Sequence, residues 1–263
     1  MIYVTSFNRG MYSERGKSLL RSLALHMSPG DQCWAFHEDS QENRPAHIHH
    51  WEDHGGKVIY RDIFEEMPHL RKVIRRPEFE EAKKDKNSKA AFLNWHAQFF
   101  ARKVAAIFWS AQEARQPICW VDCDNIVGLR KRNLGRLSPY LENLAREARI
   151  CYKCREGKNG SWTSSETSFL ILRASDGKVR DFCRFWWNLY ATGAVFYLKH
   201  WADADVFDFV RKLSQYKSIE MINLFGRRPG WKCFHHRLGH AKMAKLRAST
   251  KIGSGAKKAR GSM

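Results

Sequence analysis

Two aspartates spaced i, i+2, Asp122 and Asp124, close a short apolar stretch, Ile118 to Val121, in the run Trp120-Val121-Asp122-Cys123-Asp124. On a strand, side chains two apart share a face. A buried strand over 118–121 therefore delivers both carboxylates to its carboxyl end, the edge at which open α/β sheets bind ligands. Paired carboxylates suit a hard divalent cation, and such a cation suits a diphosphate. Arg102 and Lys103 stand on the helix expected just before this strand. They either neutralise phosphate oxygens there or form a solvated helix face.

Three other clusters compete for a chemical role. Asp203-Ala204-Asp205 repeats the Asp-x-Asp spacing, but helix-type spacing follows it and no strand precedes it. On a helix, i and i+2 do not face each other, so this pair is not read as the metal motif. One of its carboxylates could cap the helix instead. Cys151-Tyr152-Lys153-Cys154, taken with Cys119 and Cys123, would offer a zinc site, but no second CxxC and no spaced Cys/His motif supports it. Buried thiols on neighbouring strands are the preferred reading. His47, His49, His50 and His54 fall in the polar stretch 40–56 and read as a solvated loop.

The elements that must position these groups alternate in kind. Ile2 to Thr5 reads as a first strand. Ser13 to Met27 reads as a helix with Leu19, Leu20, Leu23 and Met27 on one face and Pro29-Gly30 as its stop. Strands are expected at Cys33 to His37 and at Val58 to Tyr60. Residues 61–91 break the pattern: from Arg71 to Lys89 charge outweighs apolar content, which reads as an exposed basic excursion, flexible or helical. A long helix is expected over 92–113. After Asp124, Leu134, Leu137, Leu141 and Leu144 fall at helical spacing, followed by a strand at Ile150 to Lys153. A polar loop from Gly157 to Ser165 and a strand at Ser168 to Leu172 come next. Phe182, Phe185, Trp186, Leu189 and Tyr190 mark an amphipathic helix, and Asp203 to Leu213 a further one. Strands alternating with helices argue for an α/β domain with a mostly parallel central sheet flanked by helices.

Composition bounds the partners. The 263 residues hold ten Trp, sixteen Phe and eight Tyr, enough to bury a sizeable core in one large domain or two small ones. Forty-six basic residues against 27 acidic give a net charge of +19, which points to a polyanion. No apolar run approaches the roughly 18 residues of a bilayer span, and the N-terminus lacks the pattern of a signal peptide, so no membrane is expected. Seven cysteines suggest free thiols in a reducing compartment. No acidic residue follows Glu220, and eleven Lys/Arg lie between Arg227 and Arg260. Residues 246–263 read as a basic flexible tail of the kind that lies along nucleic-acid phosphates, with a merely solubilising tail as the alternative. Lys242 and Lys245 just before it, with Arg247, Lys251, Lys257 and Lys258 within it, are the candidate contacts.

The order of these parts resembles the GT-A-fold, nucleotide-sugar-dependent glycosyltransferases. The resemblance covers residues 1–245: a first strand ending in Thr5-Ser6-Phe7-Asn8, a DxD motif at Asp122-Cys123-Asp124, and Phe100-Ala101-Arg102-Lys103-Val104 ahead of that motif. Ser165-Glu166-Thr167-Ser168-Phe169 and His200-Trp201-Ala202-Asp203-Ala204-Asp205 complete it, and the strings look like bacteriophage-encoded members thought to decorate hydroxymethylated pyrimidines in DNA. A single Rossmann-related, GT-A-like domain is the fold this implies. Thr5, Ser6, Phe7 and Asn8 would meet the nucleotide, with Arg102, Lys103 and Asp122 also on the donor side. Asp124 would ligate Mn²⁺ or Mg²⁺, and Asp122 would reach the ribose or a metal-bound water. A late histidine would complete the metal site: His240 best matches the family position, and His236 and His235 compete with it.

The same resemblance implies a nucleotide-sugar donor, a uridine diphosphate sugar, and puts an acidic residue by the acceptor, for which Asp203 and Glu166 are the candidates. In an inverting enzyme that residue is a general base; in a retaining one the same place holds a nucleophile or a stabilising group. Trp162 and Trp201 are candidates to stack on a base. The expected acceptor is double-stranded DNA with hydroxymethylated bases, reached in a host cytoplasm by a monomer. The alternatives are a glycosyltransferase acting on a surface polysaccharide or a protein, and a nucleic-acid-binding protein without catalysis.

Overall fold

In parallel sheets covered on both faces, strands read as continuous apolar runs rather than alternating ones. Ile2–Phe7 (β1) and Ile118–Val121 (β4) are buried at every position. The computed structural model describes residues 1–38, 56–84, 97–127, 137–156, 162–224 and 234–236. In chain order the elements used below are β1, α1 (Lys17–Ala24), β2 (Gln32–His37), β3 (Lys57–Asp62), α2 (Ala97–Glu113) and β4. Then come β5 (Asn125–Val127), α3 (Leu137–Glu147), β6 (Ile150–Glu156), β7 (Trp162–Leu172), α4 (Gly177–Ala191), α5 (Asp203–Lys212), β8 (Met221–Asn223) and β9 (Phe234–His236).

The central sheet runs β3-β2-β1-β4-β7-β6-β8. Pairings β1 to β2, β1 to β4, β2 to β3 and β6 to β8 are parallel, and β7 runs antiparallel to both its neighbours. The expected α/β domain with a mostly parallel sheet is therefore what the chain forms. Alternate strand residues feed opposite layers. Ile2, Val4, Ile118 and Trp120 join the core beneath α2, α4 and α5. Tyr3, Phe7, Cys119 and Val121 join the other, with Leu19, Leu20 and Leu23 of α1 and Leu141 and Leu144 of α3. No described helix is long and apolar enough to cross a membrane.

Two expectations are corrected. Residues 61–84 are not an exposed excursion. They continue β3 to Asp62 and then form short helices at Ile63–Glu66, Leu70–Ile74 and Pro77–Lys84. Ile63, Phe64, Leu70, Val73, Ile74 and Phe79 are buried in the α2-side core. Their spacing at 70, 73 and 74 is helical, but it lies among so many Lys, Arg and Glu that composition hides it. The second correction concerns Trp162 to Ser165, which belong to β7 and not to a loop. Backbone pairing of Cys154 with Ser165 and of Glu156 with Trp162 extends the hairpin past the apolar run, overriding weak local propensity.

The cap of α4 gives a stability prediction. Asp176 Oδ1 accepts from Lys178 N at 2.9 Å, and Oδ2 accepts from Arg149 Nε at 2.6 Å. Burial alone would raise this carboxyl's pKa, but the Arg149 bond and the backbone donor outweigh it and hold it below its ordinary value. Asp176→Ala is expected to cost about 1–2 kcal/mol in urea unfolding at pH 7. A carboxyl depressed in the folded state stabilises above its unfolded pKa, and that contribution fades as pH falls through the folded value. The gap between variant and wild type should therefore close below about pH 4.

Candidate active site at the carboxyl edge of the sheet

Trp120 and Asp122 are two apart, so Asp122 continues the face of β4 that looks towards α2. The indole Nε1 of Trp120 donates to Asp122 Oδ1 at 2.7 Å, fixing that direction. The strand ends there, and Asp122-Cys123-Asp124 forms a turn. Asn125 N donates to the Asp122 carbonyl at 3.0 Å, and Asp122 N donates to the Ser168 carbonyl at 2.9 Å. The two aspartates thus sit on a turn pinned to β7, just past the strand end where the sequence put them.

Lys103, on the sheet-facing side of α2, carries the centre of the site. Its Nζ lies 2.8 Å from Asp122 Oδ1 and 2.5 Å from Asp203 Oδ2, and 5.6 Å from the Trp120 ring centroid. It also donates to Thr167 Oγ1 at 3.3 Å, and the Thr167 hydroxyl donates in turn to Asp203 Oδ2. Thr167 reaches this cluster through a break in the β6–β7 register: Tyr152 pairs with Leu170, but Lys153 pairs with Glu166. Bulges of this kind re-aim side chains beside functional sites.

One ammonium thus serves two carboxylates. Burial opposes the charge on Lys103, but Asp122 and Asp203 outweigh it and hold its pKa above the ordinary lysine value. Burial would also raise Asp203, yet Lys103 and Thr167 keep it below the carboxylate range. Asp122 is the less favoured partner. Burial, with the charge of Asp203 nearby, pushes it up to about 6 against the pull of Lys103. Lys103 is therefore committed to protein carboxylates in this structure rather than free to meet a phosphate.

Arg15 lies in a π-helical turn, Tyr12–Gly16, with Nη1 4.0 Å from Asp124 Oδ2. Such turns recur at functional sites. Arg102 Nη1 lies 3.6 Å from Glu38 Oε2, and Glu38 Oε1 accepts from Ser6 Oγ at 2.6 Å. Glu38 and Arg15 were missed as site residues. The signal for Glu38 was available, because it follows β2 as Asp122 follows β4.

The remaining candidates divide. In the first strand's end, Thr5 and Phe7 point into the core, Phe7 against Tyr12 with centroids 5.0 Å apart. Asn8 Oδ1 accepts from Met11 N at 2.8 Å and caps the short helix Arg9–Met11. Only Ser6 and Asn8 of the four thus have polar side chains at the sheet edge. Glu166 is held apart from the Lys103 cluster: it pairs with Lys153 Nζ at 3.0 Å and accepts from Ser168 Oγ at 2.9 Å. Asp203 is the first residue of α5, after the N-cap Ala202, and its carboxylate also accepts from the Ala204 backbone N–H.

Trp201 is a packing residue, 4.9 Å from the Phe196 ring centroid, with Nε1 donating to the Leu198 carbonyl. Cys33, Cys119, Cys123, Cys151, Cys154 and Cys183 are buried free thiols. The histidines at 47–54, the Trp162 side chain, His240 and the tail candidates Lys242, Lys245, Arg247, Lys251, Lys257 and Lys258 lie outside the described residues.

Among the described residues no group of three or more His, Cys, Asp and Glu could hold a metal. The donor set still fits a particular kind of ion. Asp122 and Asp124 offer hard oxygens from one turn, the arrangement of a cation shared with phosphates rather than caged by protein. β5 pairs with β9 so that His236 stands across from Asn125, the residue after Asp124. This register brings the backbone of one of the competing late histidines beside the turn.

No protein-family model matches the chain, and no curated protein sequence matches it. Among solved structures, the apo form of mouse xyloside xylosyltransferase 1 is similar, with a TM-score of 0.52 at 12% identity over 85% of each chain. The glycosyltransferase GlyE of Streptococcus pneumoniae TIGR4 gives 0.48 at 12% identity over 84% of this chain and 45% of its own. The galactosyltransferase LgtC, in complex with donor and acceptor sugar analogues, gives 0.43 at 10% identity over 79% and 69%. At this identity the first likeness shows the fold, and that fold is the GT-A-like one expected from the sequence.

Proposed function

We propose that the protein is a metal-dependent glycosyltransferase that moves a sugar from a uridine diphosphate donor onto hydroxymethylated pyrimidines in DNA. The observation that carries this reading is the Asp122-Cys123-Asp124 turn at the carboxyl end of β4, buttressed by Lys103 and Asp203 in a fold similar to that of a xylosyltransferase. Asp124 and Asp122 would hold Mn²⁺ or Mg²⁺, with His236 or His240 as the late histidine. The bound ion supplies Lewis-acid stabilisation of the departing diphosphate.

The chain's own residues do the rest. Lys103 fixes the direction of Asp122 and keeps Asp203 ionised. Arg102 and Arg15 are the cations facing the nucleotide end of the site. Ser6 and Asn8 place the strand end against the nucleoside. Asp203, held by Lys103 and Thr167, and Glu166, held by Lys153 and Ser168, are the acceptor-side carboxylates. The acceptor reading is supported by the charge of +19 and by the eleven basic residues from Arg227 to Arg260.

Two measurements test it. Uridine diphosphate with Mn²⁺ should raise the melting temperature, because a ligand that binds only the folded state stabilises it. No shift with any nucleoside diphosphate or nucleotide sugar would leave the donor site without support. Hydroxymethylcytosine DNA incubated with Mn²⁺ and a panel of nucleotide sugars should yield a glycosylated nucleoside in mass spectrometry. Turnover of donor with transfer only to saccharide or protein acceptors would exclude DNA.

A further inference from the structure

Among the described residues one large hydrophobic side chain stands almost wholly in water: Tyr197 is 94% exposed, against 41% for Leu25 and 39% for Phe209. A flexible loop would account for that, but the backbone on both sides is fixed. Gly193 turns the chain after α4 with φ of +78°, a conformation glycine adopts without strain. Arg76 Nη1 donates to the Ala191 carbonyl at 2.8 Å. Val195 is fully buried, and Phe196 meets Phe79 and Trp201 edge-on at 4.8 and 4.9 Å. Leu198 N bonds back to Val195, Trp201 Nε1 holds the Leu198 carbonyl, and Tyr190 Oη holds the Trp201 carbonyl at 2.9 Å. Tyr197 is thus displayed from a rigid support, and a tyrosine so held offers a large flat surface at little entropic cost.

The surroundings narrow what it meets. Lys199 and His200 follow it and are exposed; in sequence no acidic residue stands between Phe182 and Ala202, and the acidic neighbour at the start of the segment, Glu78 beside Gly193, is paired with Arg76. Six positions on, the same segment enters α5 at Asp203, inside the Lys103 cluster.

We propose that Tyr197 and Lys199 form the acceptor platform, on which a base of the nucleic-acid strand stacks while the lysine meets its phosphate. This deepens the DNA-acceptor reading above and rests on it. Base stacking on an aromatic side chain tolerates any sequence, and an exposed lysine two residues on supplies the salt-dependent part of the contact. An exposed ring and an exposed cation on one short segment suit a nucleotide better than a neutral sugar, which has neither a flat π-face nor a charge to neutralise.

The test measures binding of a fluorescein-labelled single-stranded oligonucleotide by the full-length protein, by anisotropy across a salt series. Tyr197→Ala should weaken binding roughly ten-fold, and Tyr197→Phe, which keeps the ring, should bind as wild type does. Lys199→Ala should lower the slope of log affinity against log salt by about 0.7. All three should keep the melting temperature, so that a change in binding is not a change in folding. If the wild type binds with a clear salt slope and Tyr197→Ala binds equally well, the platform is overturned and the DNA reading survives. A loss shared by Tyr197→Phe would likewise overturn stacking. If the wild type shows no salt-dependent binding of the single strand, the platform is overturned, while the duplex acceptor stands or falls on the nucleoside analysis described above.

Discussion

Lys103→Met is expected to destabilise the fold by about 3–5 kcal/mol, the cost of breaking a buried ion pair by removing one partner. The methionine fills a similar volume, so the loss measures charge rather than cavity. Lys103 is the cation between Asp122 and Asp203, at 2.8 and 2.5 Å. Without it, two carboxylates are left in a site that already resists their ionisation, and burial has raised Asp122 to about 6 even with Lys103 present. In the variant both pKa values should rise. Carboxyls raised in the folded state take up protons on folding, so stability is retained at low pH and lost as pH climbs through the folded values. The deficit relative to wild type should therefore be larger at pH 8 than at pH 5. Combining Lys103→Met with Asp203→Asn should recover part of the loss, since the interaction is shared and the effects will not add. A deficit under 1 kcal/mol and flat in pH would show that the three groups are not an energetic unit.

What the sequence disclosed and what it hid follow from range. β1 and β4 were legible because a strand buried on both faces is a local apolar run, and the Asp122–Asp124 pair because its meaning lies in two residues and the strand before them. The stripe on α4 was legible for the same reason: Phe182, Trp186 and Tyr190 repeat at the helical period and are buried. Segments stabilised by distant partners were not. Phe79 looks like a stray aromatic among charges until Phe196 is brought against it. Trp162 to Ser165 become strand only because β6 lies alongside. Likewise, Lys103 could be named as a cation near the motif, but nothing local says that its charge is balanced by a second Asp-x-Asp far along the chain. Asp203-Ala204-Asp205 begins a helix, as the spacing after it predicts. Its first carboxylate is nonetheless part of the same cluster.

Asp124→Ala should separate function from stability. Asp124 lies on the turn after β4, its side chain 18% exposed, with Arg15 4.0 Å away. Long, partly solvated pairs of this sort contribute little, so the variant should unfold within about 1 kcal/mol of wild type. Its carboxylate is nonetheless the one on the motif that Lys103 does not claim, and so the one best able to bind a cation directly. Losing it should remove several kcal/mol of transition-state stabilisation, about a thousand-fold or more in kcat/KM. The stabilisation by uridine diphosphate that depends on Mn²⁺ should disappear as well. Asp122→Asn should differ in kind. It disturbs the Lys103 network and should lower stability as well as turnover, because the amide leaves the ammonium with one carboxylate instead of two. If Asp124→Ala turns over donor at near wild-type rate and keeps its response to Mn²⁺, the turn is not the metal site. The case for nucleotide-sugar chemistry at this edge of the sheet would then fall, whatever the fold resembles.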